Sequence, residues 1–146
     1  MRIDHDPFRI SFCNLDGGTV LTQSVSDTHG APTNYVTRPI GFAFDESGAP
    51  VASYETFVAQ PDEAFYGLGE RYGELNLRGR RAASWIDDPL CVTTTDVNYK
   101  TVPFYQSSAG YGVFLNSSRR AVFEMGSFSF TSVSFMTQEP VMDYFF

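Results

Sequence analysis

The sequence predicts an all-β fold, an antiparallel β-sandwich of roughly eight to ten strands or part of a larger one. Three observations carry that prediction. Apolar residues recur with a period of two, as in Phe8, Ile10 and Phe12 alternating with Arg9 and Ser11. Aromatic residues make up 16% of the chain, with 14 Phe and 8 Tyr, and these side chains fit a pleated, half-buried surface. No amphipathic helix and no repeat is evident. At 146 residues the chain fits one domain with a real core.

The elements follow in order. Phe8–Phe12 is a half-buried strand, Asn14-Leu15-Asp16-Gly17-Gly18 a turn and Thr19–Val25 its return, so residues 8–25 read as a hairpin. Gly30–Asn34 is loop. Pro39–Phe44 is a strand with an irregular start, because Pro39 cannot donate to a ladder. Asp45–Pro50 turns the chain into a strand within Val51–Ala59. Residues 61–90 alternate poorly and are rich in Gly, Arg and Asp, which predicts a long functional loop region with short strands. Order returns at Thr101–Ser107. After the turn Ser108-Ala109-Gly110, Tyr111, Val113 and Leu115 alternate with Gly112, Phe114 and Asn116. Ala121–Met125, Phe128–Phe135 and Val141–Phe146 complete the list. A slip in alternation between Phe130 and Val133 predicts a bulge. The apolar run ending in Phe145-Phe146 predicts an adhesive edge, self-association through it, and a chain that is part of a longer one.

Charge and cysteine usage exclude several functions. The net charge of −7 argues against nucleic acid, which needs a basic stripe. No run of 18 apolar residues exists, so no helical membrane span is expected. Met1–Asp6 lacks an apolar core, which predicts no signal peptide and a cytoplasmic location. Cys13 and Cys91 fit no metal spacing and read as free thiols, and the Asn116-Ser117-Ser118 acceptor match reads as accidental. His5 and His29 lie in polar segments. No Cys/His cluster supports zinc, so neither metal nor cofactor is expected.

One stretch breaks the strand pattern. Phe65-Tyr66-Gly67-Leu68-Gly69-Glu70-Arg71-Tyr72-Gly73 interleaves three glycines with rings and a Glu-Arg pair. Glycine loses the most backbone entropy on ordering, so it belongs where φ is positive or backbones approach closely. The flanking rings and charges predict a shaped turn at the mouth of a site. A phosphate cradle would need a following helix, and none is predicted.

With Trp85-Ile86-Asp87-Asp88, Tyr99-Lys100-Thr101-Val102-Pro103-Phe104-Tyr105 and Tyr111-Gly112-Val113-Phe114-Leu115-Asn116, this stretch forms an ordered set of four segments. In order and spacing, the region from about Phe65 to Phe146 resembles the N-terminal β-sandwich domain of glycoside hydrolase family 31, which includes α-glucosidases and α-xylosidases. Asp6–Ile10 and Asn14–Gly18 resemble an early hairpin of the same domain. The resemblance implies a galactose-mutarotase-like sandwich, here incomplete, that precedes a catalytic (β/α)8 barrel. That barrel supplies two aspartates for a retaining mechanism, which needs carboxyls about 5–5.5 Å apart. The barrel is absent from this sequence. No Trp-x-Asp-Met motif occurs, because the single Trp is Trp85. The chain alone is therefore expected to be inactive, its partners being an α-glycoside and the barrel.

The resemblance also implies that the Trp85–Asp88 loop shapes the sugar subsites. Asp88 stands where the family has a loop aspartate that hydrogen-bonds substrate, Asp87 where the family varies, and Pro89 where a Gly is commoner. Each candidate has a plainer reading. Trp85 offers either a stacking face or a core side chain. Asp88 accepts from sugar hydroxyls or caps a turn before Pro89. Glu70 and Arg71 contact sugar or brace the glycine turn. Arg78, Arg80 and Arg81 form a solvated basic loop or pair with a neighbouring domain, and Lys100 reads as structural. The runner-up to a glycosidase domain is a free-standing carbohydrate-binding or interaction module, with a β-barrel carrier third.

Overall fold

A computed structural model describes residues 1–6, 8–24, 39–87 and 98–146. Among them there is no helix, and twelve strands replace the eight to ten expected. They are β1 (Arg2–His5), β2 (Phe8–Cys13), β3 (Thr19–Thr22), β4 (Ile40–Phe44), β5 (Pro50–Val58) and β6 (Phe65–Gly67). The rest are β7 (Arg80–Ser84), β8 (Phe104–Ser107), β9 (Gly112–Leu115), β10 (Ala121–Met125), β11 (Ser132–Thr137) and β12 (Tyr144–Phe145). All the ladders between them are antiparallel. The sheets run β1-β2-β3, β4-β5-β11-β10-β7 and β12-β9-β8-β6. The N-terminal sheet joins the five-stranded one where Gln23 bridges Phe57.

The two larger sheets enclose the core. Period-two alternation turns Phe57, Phe123, Met125, Val133 and Phe135 inward from one sheet. Phe65, Tyr105, Val113 and Leu115 face them from the other. The rings meet edge-on or tilted, as at Phe65–Tyr105 (5.9 Å, 78°) and Phe57–Phe135 (6.0 Å, 32°). Those are the geometries that ring quadrupoles favour.

Several boundaries differ from the sequence reading. Arg2–His5 pairs with β2, a strand that its charged residues concealed. The slip between Phe130 and Val133 is not a bulge. The β10–β11 register is continuous, and Phe128 and Phe130 stand exposed in the connection before β11 begins. Register shifts occur instead between Phe12 and Cys13 and between Ala43 and Phe44. The C-terminal run contributes only Tyr144–Phe145 to a strand. It pairs with β9 while Tyr144 packs against Phe12, Phe57 and Phe135. Phe145 and Phe146 remain substantially exposed.

Three polar residues buried at the margins of this core are satisfied internally. Glu63 accepts from the Tyr111 and Ser107 hydroxyls and from the Gln60 amide at 2.8 Å. Glu55 accepts from Gln23 and, at 3.0 Å, from Tyr144, which ties three sheets together. Gln23 also accepts from the Ile10 amide at 2.8 Å. Such groups are costly when unpartnered, so their pairing fixes the relative placement of the strands.

Candidate functional site

Three segments distant in sequence converge at one edge of the sandwich: residues 68–72, 84–87 and 98–103. Strand β6 leads into the first. Gly67 and Gly69 adopt φ of +117° and +83°, and Leu68 between them adopts +63°. An alanine Cβ at Gly69 would lie 2.3 Å from the Lys100 carbonyl oxygen, and one at Gly67 would lie 2.6 Å from that of Phe104. These two glycines are therefore required by close backbone approach as well as by φ. The approach is hydrogen-bonded: the Leu68 amide donates to Phe104 and the Glu70 amide to Lys100, both at 2.8 Å.

Arg71 secures the same turn. Its Nε donates to the Leu68 carbonyl at 3.0 Å and its Nη2 to the Ala83 carbonyl at 2.5 Å, which clamps the loop onto β7. Glu70 lies on the surface 3.5 Å from Lys100 Nζ, an exposed pair worth little in stability. The Arg71 side chain thus braces the turn. Strand β7 then delivers Trp85, Ile86 and Asp87. Ile86 bridges Asn98 in parallel, the Asp87 amide donates to the Asn98 carbonyl at 3.4 Å, and the Ser84 and Thr101 hydroxyls meet at 2.7 Å.

The edge presents rings to solvent. Trp85 is 43% exposed and stands outside the core of the described sandwich. Ile86, Tyr99, Tyr72 and Val102, from the same three segments, are exposed as well. Trp85 and Ile86 line an open depression of about 270 Å³ together with Pro103, Ser117 and Arg119. Asp87 is exposed. Asp88, Pro89 and Cys91 lie outside the described residues, as does His29. The structure thus brings Trp85, Asp87, Glu70 and Arg71 to one edge.

The basic cluster divides. Arg80 and Arg81 form surface ion pairs with Glu74 at 3.6 Å and Glu124 at 3.0 Å. Arg78 is not a solvated residue. Its guanidinium packs 4.4 Å from the Phe130 ring centroid and 5.8 Å from that of Phe65, and it donates to the Glu63 and Phe130 carbonyls. It belongs to the scaffold, and its cation–π contacts are favourable in that setting. Among the described residues, no group of three His, Cys, Asp or Glu side chains could hold a metal ion. Cys13 is a free thiol in β2. Sequence reasoning missed Leu68 at positive φ and Arg119 beside the depression. No local pattern marks them, because segments far apart in the chain create their setting.

Comparison with known proteins identifies the family of this fold. The family model of the glycosyl hydrolase 31 N-terminal galactose mutarotase-like domain matches residues 1–124. An α-xylosidase of Lactiplantibacillus pentosus is 40% identical over 84 residues, 58% of this chain and 11% of the relative. A dextranase of Flavobacterium johnsoniae, solved with isomaltotriose, superposes with a TM-score of 0.68 at 27% identity over 94% of this chain and 15% of that one. The cycloalternan-forming enzyme of Listeria monocytogenes, solved with a pentasaccharide substrate, gives 0.74 at 25% identity over 94% and 12%. The chain spans a small fraction of the length of each. With its aromatic-Gly-x-Gly-Glu-Arg turn braced against the Tyr-Lys-x-Val-Pro-Phe-Tyr segment, the chain belongs to the glycosyl hydrolase 31 N-terminal galactose mutarotase-like domain family.

Proposed function

We propose that this sandwich is the non-catalytic N-terminal domain of a retaining α-glycosidase acting on α-glucosides or α-xylosides, and that its Trp85–Asp88 loop rims the substrate subsites. The observation that carries the reading is the braced edge. Two short backbone hydrogen bonds and the Arg71 clamp hold it, and Trp85 and Ile86 project from it into solvent. Exposed ring faces on a rigid support suit pyranose C–H contacts, and Asp87 adds a carboxylate acceptor.

Three acids of the sandwich are engaged within it. Glu55 and Glu63 are buried and hydrogen-bonded by internal donors, and Glu70 is paired with Lys100. A glycosidic bond needs two open carboxyls facing each other across it. The reacting acids in this proposal sit on a barrel, and the sandwich buttresses that barrel and closes its subsites. Two measurements test it. The purified chain releases no nitrophenolate from p-nitrophenyl α-glucoside or α-xyloside; turnover would overturn the non-catalytic role. Placed ahead of a family 31 barrel, Trp85→Ala raises KM about tenfold, the loss of roughly 1.4 kcal/mol of contact. An unchanged KM and kcat would remove the loop from the subsites.

A further inference from the structure

The edges of the three sheets are not alike. Strand β1 carries Arg2, Asp4 and His5. Strand β7 carries Arg80 and Arg81 and is clamped by Arg71. The Leu77 amide donates to the Phe65 carbonyl of β6 at 2.8 Å, and β12 has only two residues. Strand β4 instead ends the five-stranded sheet with the uncharged run Ile40-Gly41-Phe42-Ala43-Phe44. An edge without charge or cover recruits another strand, because its outward backbone groups are unpaired.

The register identifies those groups. The Thr56 amide donates to the Pro39 carbonyl at 2.7 Å, so Gly41 and Ala43 follow Pro39 in turning their backbone toward β5. Asp45 does the same, its amide donating to the Ala49 carbonyl at 2.9 Å. Ile40, Phe42 and Phe44 lie between, so their amides and carbonyls point away from β5, and no described residue bonds them there. Their side chains occupy an unusual position. Phe42 stands opposite Ser53 and Ile40 opposite Glu55, on the face of β5 that carries Phe57 into the core. Ser53 and Glu55 are buried there, whereas Phe42 and Phe44 are exposed. The core side of the sheet thus runs past its cover at β4. The turn that follows is preorganised, with the Asp45 carboxylate accepting from the Ser47 and Ala49 amides.

We propose that β4 is a pairing edge for a second copy of this chain. The two strands run antiparallel with Phe42 on the two-fold axis and Ile40 opposite the partner's Phe44, and two five-stranded sheets become one. In that register each outward amide meets an outward carbonyl. The strand is its own complement in charge. It holds no ionisable side chain, and Asp45 and Glu46 of the two copies fall at opposite ends of the pairing, where like charges do not face each other. Its cross-strand pairs are aromatic with aromatic at the axis and aromatic with β-branched beside it, both favourable between antiparallel neighbours. A two-fold contact closes on itself and gives a dimer, not a fibre. Strands β4 and β7 stand at opposite ends of their sheet, so the pairing does not involve the Trp85 loop or rest on its assignment.

Sedimentation of this chain between about 10 μM and about 1 mM should show a monomer–dimer equilibrium. Added salt should strengthen the dimer, because each copy carries a net charge of −7. Amide hydrogen exchange reads the register. As concentration rises, Ile40, Phe42 and Phe44 should gain protection, while Gly41 and Ala43, which face β5 already, should change little. Phe42→Lys should weaken the dimer at least about tenfold by setting two cations together on the axis. Phe42→Pro should do the same by deleting an outward amide, a change that spares the ladder with β5. Phe145→Lys should leave the dimer as it is. The proposal falls if the chain is a monomer at about 1 mM. It falls if the new protection appears on β12 and not on β4, or if both Phe42 variants dimerise like the parent. The exchange pattern decides the matter even where a variant loses its fold.

Discussion

Two kinds of chain reversal sit in this sandwich, and their glycines serve different purposes. The hairpin turns close locally. At Asn14–Gly18 the Asn14 side chain accepts from the Gly18 amide at 2.7 Å. At Asp45–Ala49 the Asp45 carboxylate accepts from the Ser47 and Ala49 amides at 2.9 and 3.0 Å. Gly17 and Gly48 take positive φ with nothing within 4 Å of an added Cβ. The braced edge closes over distance instead. Gly67 and Gly69 meet backbone contributed from more than thirty positions later, at 2.6 and 2.3 Å. A glycine that serves only φ is a turn. One that also admits another backbone marks where remote segments are assembled, and here that assembly carries the exposed rings.

The largest expected effect separates the two kinds directly. Gly69→Ala forces a Cβ into the Lys100 carbonyl and strains φ, and should cost about 3 kcal/mol or more. Gly48→Ala meets open space and should cost about 1 kcal/mol, the left-handed penalty alone. Denaturant midpoints of the two variants measure the difference. Equal losses would mean that the edge yields as easily as a hairpin turn.

The same division explains what the sequence could reveal. The hairpin of β2 and β3 and the turn at 45–50 are written in adjacent residues, so period and turn chemistry found them. The glycine run announced an unusual backbone, but not the partner that made it necessary. Trp85 left its two readings open because burial depends on how residues 68–72 and 98–103 fold around it. Arg78 read as solvated because nothing local hinted at Phe130, brought over it by the β10–β11 connection. Arg2–His5 escaped because an edge strand needs only a partner, and its alternation is charged.

Glu55 and Asp45 extend the contrast to pH. Asp45 is held below its ordinary value by its hydrogen bonds to Ser47 and to the Ala49 amide. Its contribution is present above pH 3.8, its unperturbed value, and is lost as pH falls through the lowered folded value. Glu55 is raised by burial, against the opposing hydrogen bonds from Gln23 and Tyr144. Its contribution is fully present below the unfolded value near 4.5 and is lost as pH rises through the raised folded value. Glu55→Gln should therefore flatten the decline in Tm above pH 4.5 while leaving the acid side to Asp45. Parallel Tm curves for parent and variant across that window would show that the three-sheet junction does not depend on this proton.

The smallest effect is expected where the rings face outward. Trp85 projects from the end of β7, while Ala83 and Ser84 just before it are buried. The support of the loop runs through backbone and Arg71, not through the indole. Trp85→Ala should thus change stability by about 0.5 kcal/mol or less, the size of an ordinary surface substitution. A loss of several kcal/mol in a denaturant titration would mean that the indole holds the edge together. A negligible loss, set beside the large cost at Gly69, would mean that this edge spends its order on presenting a ring to something outside the sandwich.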